Sequence, residues 1–363
     1  MKRMYRTVST LAAVGTLLAS LGIGSVQAQQ AVVVPRKAVN ALAQKGVTAP
    51  LTTVTVASDN APAQAGIILA DKMGYFQREG IRIAYKTFAS GEDELTALSA
   101  GQVDVARGVV SAGLFNAIEQ GIKVRLVADG GQNQVQKPYF ELVLKKSLAS
   151  KVKTFKDLKN LRIGIASQGT VNELFLAKAL AKGGLTLKDV HEVVVDSFPD
   201  LNTAVANGAI DGAVQIEPLI TEGVQKGYLS WWKNPQTYAP NEPVSIIEYG
   251  KRLLDNKQLG DRFMVAYLQG VRAYDNALIF GKVNQKRVIN LMAGNTFVTS
   301  PKLWLQEKNP LLSPNGYVPT GLASDLKFYV AQGLTQPIAL SKVQDMSFVD
   351  HALKILGVDH QHS

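Results

Sequence analysis

The sequence predicts an α/β protein of two lobes, each a mainly parallel sheet flanked by helices. Three observations lead there. Short apolar runs alternate with helically spaced apolar residues from Val54 to Lys226, the pattern of strand–helix units that feed a parallel sheet. The pattern repeats: Val54-Thr55-Val56-Ala57-Ser58 is echoed by Ile163-Gly164-Ile165-Ala166-Ser167, and Leu98-Ser99-Ala100-Gly101-Gln102-Val103-Asp104 by Val205-Ala206-Asn207-Gly208-Ala209-Ile210-Asp211, at offsets of 107–109 residues. Two extended segments, Pro138–Leu144 and Pro243–Glu248, sit where a chain would leave one half and return to it. Two such crossings make a hinge for lobes that close on a ligand.

In chain order, Val54–Ala57 is a strand, and the loop from Ser58 to Pro62 leads to a helix over Gln64–Met73 that Gly74 stops. Ile81–Tyr85 is the second strand; Ser90 caps the next helix, with Asp93 in the capping-box position and Gly101 at its end. Strand Val103–Ala106, helix Ala112–Gln120 and strand Val124–Val127 complete the first half. Thr154–Leu158 opens the second. There Ile163–Ala166 passes through the polar turn Ser167–Thr170 into a helix that begins at Val171 and ends at Gly183-Gly184. Glu192–Val195 follows, then helix Leu201–Asn207 with Asp200 as its expected cap, strand Ile210–Val214 and helix Leu219–Lys226. The remainder is helical: Arg262–Phe280, Gln285–Ala293, Pro301–Lys308, Ala323–Gln332 and Phe348–Leu356.

The expected domains are lobe one over 51–140 and 245–363, with lobe two over 141–244. Ahead of them, Lys2, Arg3 and Arg6 precede the apolar Leu11–Ile23 and the small residues of Val26-Gln27-Ala28, the pattern of a secretory signal cleaved after Ala28. The apolar run is shorter than the ~20 residues a membrane span requires, and no Arg–Arg pair marks the twin-arginine route. Residues 29–50 carry no clear pattern and are expected to be a flexible leader. The chain has no cysteine, which excludes disulfides, thiol catalysis, cysteine-bound metal and a lipidated processed terminus. A soluble, monomeric, periplasmic protein is therefore expected. Hydrophobic content of 46% and charged content of 19% are ordinary for a globular chain. The net charge is +10, and Lys2, Arg3 and Arg6 supply three of those cations. The remaining Lys and Arg are scattered without interleaved aromatics, a solvated surface and not a nucleic-acid groove.

Ala70-Asp71-Lys72-Met73-Gly74-Tyr75-Phe76-Gln77-Arg78-Glu79-Gly80-Ile81 resembles the A-x-x-x-G-Y-F-x-x-E-G-L signature of ABC-transporter substrate-binding proteins for nitrate, sulfonates, taurine and thiamine precursors. Leu98–Ala106, Asp157–Gly164 and Ala204–Pro218 are similar to further blocks of that family, and the likeness runs from about 52 to 295. The resemblance implies the type II periplasmic binding fold, two lobes closing on a small solute, and as partners a membrane permease and its ATPase. It does not imply which solute.

Catalytic chemistry finds little support. The histidines are His191, His351, His360 and His362; the last two form a terminal H-x-H that is either a weak metal site or a loose end. No H-E-x-x-H, G-x-S-x-G or P-loop motif occurs, and no catalytic residue, metal or cofactor is expected. The loops at the carboxyl ends of the strands, where ligands of such sheets gather, offer Ser58, Asp59, Asn60, Ser90, Gly91, Arg107, Ser111, Asn133, Ser167, Gln168, Gly169, Thr170, Asn172, Gln215 and Glu217. Most are neutral hydrogen-bonding groups suited to orienting a small solute. Several admit a second role: Ser90 as a cap only, Arg107 as a partner for a carboxylate or sulfonate or as a solvent-facing cation, and Glu217 as a ligand acceptor or a helix cap. Asp59 and Glu217 suit a cationic or amino-bearing ring. Trp231-Trp232 either stack on an aromatic solute or pack within a lobe. The expected function is a periplasmic receptor for an importer, taking a small anion or a heteroaromatic solute. The alternatives are a pyrimidine-precursor enzyme of the same superfamily and a sensor subunit that delivers solute to a receptor kinase.

Overall fold

The computed structural model describes residues 50–133, 138–281, 283–306, 309 and 311–360. The expected signal segment, residues 29–49 of the leader, and His362 lie outside them.

Two five-stranded sheets carry the fold. The first has the order β2-β1-β3-β10-β4, from β1 (Thr52–Ser58), β2 (Ile81–Thr87), β3 (Val105–Gly108), β4 (Arg125–Gln132) and β10 (Pro243–Tyr249). The second has the order β7-β6-β8-β5-β9, from β5 (Phe140–Lys145), β6 (Arg162–Ile165), β7 (His191–Val194), β8 (Gly212–Ile216) and β9 (Leu229–Ser230). In each, a central strand pairs in parallel on both sides: β1 with β2 and β3, and β6 with β7 and β8. In each, one antiparallel strand fills the fourth position: β10 in the first sheet, β5 in the second. Those two strands follow the crossings. The chain leaves the first sheet after Gln132 and enters the second as β5; it leaves after Ser230 and returns as β10.

The sequence echo is a structural one. The Asp104 carboxylate accepts from the Thr55 N–H at 2.8 Å, and that of Asp211 accepts from the Arg162 N–H at 2.9 Å. In both sheets the same aspartate also donates its own N–H back to that partner's carbonyl, at 2.8 Å. Each aspartate ties the entry of its strand to the central one, at Thr55 in β1 and at Arg162 in β6, which explains why G-x-V/I-D occurs in both halves.

The helices follow from caps and periodicity. Ser90, Ser111 and Thr170 cap helices Gly91–Ser99, Ala112–Glu119 and Val171–Lys182 by accepting from a backbone N–H in the first turn. Asp200 does not cap its helix. Ser197 does, accepting from the Asp200 N–H at 3.4 Å, because the helix starts earlier, at Phe198, with Pro199 in a first turn that needs no N–H. The long tail helix likewise starts earlier than Arg262. Asn256 caps it, and it spans Lys257–Tyr274 before widening into a π turn over Asp275–Ile279. It packs on helix Ala65–Lys72, where a Cβ at Gly66 would meet the Tyr267 ring at 2.6 Å and one at Gly270 the Ala70 nitrogen at 2.8 Å. Only glycine at both crossing points allows so close an approach.

Candidate functional site

Where the strands of both sheets end, a cavity of ≈ 360 Å³ opens between the lobes. From the first half it is lined by Asp59 after β1, by Phe88, Ser90 and Gly91 after β2, by Arg107 on β3, and by Phe297. From the second half come Ala166 and Ser167 after β6, Asn172 on the following helix, Ser197 and Phe198 after β7, and Ile216 at the end of β8. Tyr139, Phe140 and Val244, beside the two crossings, close it. The walls are thus largely aromatic and aliphatic.

The polar groups are few and already oriented. Arg107 is buried at 5% exposure; Nη1 donates to Ser245 Oγ at 3.0 Å and Nη2 forms an ion pair with Asp59 Oδ2. Asp59 Oδ1 accepts from the Ala61 N–H at 3.0 Å, so both its oxygens are engaged. The pairing with Asp59 holds the Arg107 guanidinium firmly charged despite burial. Beside them lie Glu94 and Glu248, both fully buried, and burial pushes both carboxyls well above the usual range. Among the described residues, the one other charged side chain on the wall is Asp196, which is exposed.

Of the residues expected from sequence, Asp59, Ser90, Gly91, Arg107, Ser167 and Asn172 reach this cavity. Ser90 does so while capping its helix, with its hydroxyl 2.9 Å from Asp93 Oδ2. Ser167 lies 3.1 Å from the Thr170 hydroxyl. The others are placed elsewhere. Ser58 and Asn60 line a separate hollow with Lys72, Tyr85 and Thr296. Ser111 and Thr170 serve as caps. Asn133 braces the first crossing, accepting from the Tyr139 and Phe140 N–H groups at 3.0 and 2.8 Å and donating to the Phe140 carbonyl at 2.8 Å. Gln168 turns outward to Glu192 at 2.6 Å, and the Gly169 N–H donates to Glu173 at 2.8 Å. Gln215 donates to the Phe198 carbonyl and to Asn202, at 2.8 and 3.0 Å. Glu217 caps helix Leu219–Gln225, accepting from the Thr221 N–H at 2.9 Å. Trp232 packs edge-on against Phe155 within its lobe, and the Trp231 indole faces Glu217 at 3.4 Å. No histidine lines the cavity among the described residues.

The lobes meet through main-chain bonds beside this cavity. The Ala112 N–H donates to the Gly169 carbonyl at 2.9 Å and the Val171 N–H to the Val110 carbonyl at 3.1 Å; the Tyr329 hydroxyl donates to that same carbonyl at 3.1 Å.

The family model described as "NMT1/THI5 like" matches residues 61–276. This chain belongs to the NMT1/THI5-like family. The family match holds most of the cavity lining, with Asp59 and Phe297 just outside it. Among curated relatives, a putative binding protein of Brucella abortus is 28% identical over 173 residues, 45% of this chain and 50% of the relative. The 4-amino-5-hydroxymethyl-2-methylpyrimidine phosphate synthase of Schizosaccharomyces pombe is 26% identical over 156 residues, 43% of this chain and 42% of that one. The chain thus spans about half the length of the curated relatives it matches. Among solved structures, the periplasmic nitrate-binding protein NrtA from Synechocystis PCC 6803 superposes with a TM-score of 0.70 at 14% identity, over 86% of this chain and 91% of that one. The alkanesulfonate-binding protein SsuA from Xanthomonas axonopodis pv. citri gives 0.63 at 19% identity, over 84% and 99%. At such identities the likeness establishes the fold of this NMT1/THI5-like chain, the two-lobed periplasmic binding fold.

Sequence reasoning missed the aromatic lining: Phe88, Tyr139, Phe140, Phe198 and Phe297. A signal existed, since Phe88 lies two residues before the capping Ser90 and Phe198 directly after the capping Ser197, each at a strand-to-helix turn.

Proposed function

We propose that this protein is the solute-binding component of an ABC importer, exported to the periplasm as a monomer, with lobes of 51–140 plus 245–363 and of 141–244. It takes a small planar aromatic or heteroaromatic solute in the inter-lobe cavity. It bends about the two crossings and presents the closed form to a permease and its ATPase. The observation that carries this reading is the cavity itself, walled by both lobes and mostly apolar, with Phe88 and Phe297 on one side, Phe198 on the other, and few polar groups. The main-chain bonds between Val110–Ala112 and Gly169–Val171 support closure, because a solute that touches both walls stabilises the arrangement in which those bonds are made.

The Schizosaccharomyces pombe relative offers a second reading, an enzyme of pyrimidine synthesis. The receptor is favoured because, among the described residues, the cavity wall presents neither histidine nor cysteine as nucleophile or base. A thermal-shift screen of aminopyrimidines, aromatic acids, sulfonates and nitrate tests the receptor. A ligand at a hundred times its Kd stabilises by about 2.7 kcal/mol, and Ala166→Trp, which fills the cavity from its wall, is expected to abolish the shift. Turnover of the bound molecule, or a shift that survives Ala166→Trp, would end the proposal.

A further inference from the structure

We propose that Asp59 sets the charge specificity of the cavity: it occupies the guanidinium of Arg107, so that the site refuses free anions and accepts an uncharged or amino-bearing ring. This rests on the reading that the inter-lobe cavity is where solute binds. Among the described residues Arg107 is the only cation on the wall; its Nε has no partner, but three features orient its two terminal nitrogens before any solute arrives. Its Nη2 is paired with Asp59; its Nη1 is directed to Ser245 Oγ at 3.0 Å; and the Ser245 hydroxyl donates its own proton to the Gly108 carbonyl at 3.1 Å, leaving a lone pair for Arg107. Asp59 is fixed in turn, since Oδ1 accepts from the Ala61 N–H in a tight local turn. An incoming sulfonate or carboxylate would have to share the guanidinium with this carboxylate, whose side chain is only 12% exposed, and would meet its charge repulsion. The facing wall supplies Ser167, Asn172 and Ser197, with Asp196 at its edge, and among the described residues no cation that could take over the charge. Instead the pair presents an acceptor, the carboxylate, beside a donor, the guanidinium. That juxtaposition suits a ring bearing an amino group next to a ring nitrogen or carbonyl.

Proteins of this fold include a nitrate-binding and an alkanesulfonate-binding protein; Asp59 is the residue that would turn this cavity away from such anions. Removing that residue's charge should reverse the preference. Asp59→Asn keeps the acceptor for the Ala61 N–H and releases Arg107 Nη2.

The test compares isosteric probes, benzenesulfonamide and benzenesulfonate, together with 4-aminopyrimidine, by isothermal titration. The unaltered protein is expected to bind a neutral probe at least tenfold more tightly than benzenesulfonate, and Asp59→Asn to gain at least tenfold for benzenesulfonate. A preference of the unaltered protein for benzenesulfonate overturns the proposal, and that comparison needs no variant to fold. A folded Asp59→Asn protein, judged by its circular dichroism, that gains nothing for the anion also overturns it. Binding of neutral probes that Ala166→Trp abolishes, with charge preference unmoved by Asp59→Asn, would sink the role of Asp59 and leave the receptor standing. Failure of every probe to bind the unaltered protein would sink both.

Discussion

The Lys178 ammonium sits 2.6 Å from a carboxylate oxygen of Glu242 and 3.1 Å from one of Asp325, joining helix Val171–Lys182 to the second crossing and to helix Leu322–Ala331. Both carboxyls are fully buried, and one cation serves two acids. Burial and the neighbouring Asp325 push Glu242 up to about 9, so a proton stays in the group at neutral pH. Lys178→Met is expected to destabilise the protein by roughly 2–3 kcal/mol at pH 8, a value reduced because Lys178 keeps 18% exposure. Urea unfolding checks this, and a variant as stable as the parent would contradict it.

Asp129 on β4 is 1% exposed, and burial raises its carboxyl from 3.8 to about 7, although Oδ2 accepts from the Ser313 N–H at 2.9 Å. Its folded-state value lies above the unfolded one, so its contribution is intact below pH 3.8 and is lost as pH climbs toward about 7. The slope is at most ~1.4 kcal/mol per pH unit. Asp129→Asn keeps the acceptor for Ser313 and should flatten stability between pH 5 and 7. Denaturant midpoints that fall equally steeply in the variant would refute this.

Gly270 lies against the Gly66 carbonyl where two helices cross, so Gly270→Ala forces them apart. The expected loss is about 3 kcal/mol, against a small gain in helix propensity of ~1 kcal/mol. A variant at least as stable as the parent would show that the crossing relaxes freely.

Asp104 and Asp211 hold equivalent strands in separate sheets and share no partner; Asp104 also binds Arg252 at 2.8 Å, and Asp211 binds Arg162 at 2.8 Å. Alanine at either should cost about 2 kcal/mol, and the double variant should lose the sum. A coupling beyond ~0.5 kcal/mol in the double-mutant cycle would mean the two sheets respond as one.

Much of the fold was legible because it is local. Short apolar runs and helical spacing marked most strands and helices, and Ser90 announced a helix start through the hydrogen bond it makes. The site was legible only in part. Loop position correctly brought Asp59, Ser90, Gly91, Arg107, Ser167 and Asn172 to one cavity. The same reasoning could not tell these from Asn133, Gln215 and Glu217, which spend their polar groups on nearby main chain. It also favoured polar loops and so passed over Phe88, Phe198 and Phe297.

Composition, spacing and the internal echo determined that this chain builds two similar α/β halves, because an apolar face must be buried and its period names the element that buries it. The tertiary structure alone decided that Asp59 pairs with Arg107, 48 residues away, and that aromatic residues from both lobes line one cavity. No local rule fixes a partner at that distance. Which charges meet is settled by how strands β1, β3 and β10 pack side by side, and that packing sets the carboxylate of Asp59 against Arg107.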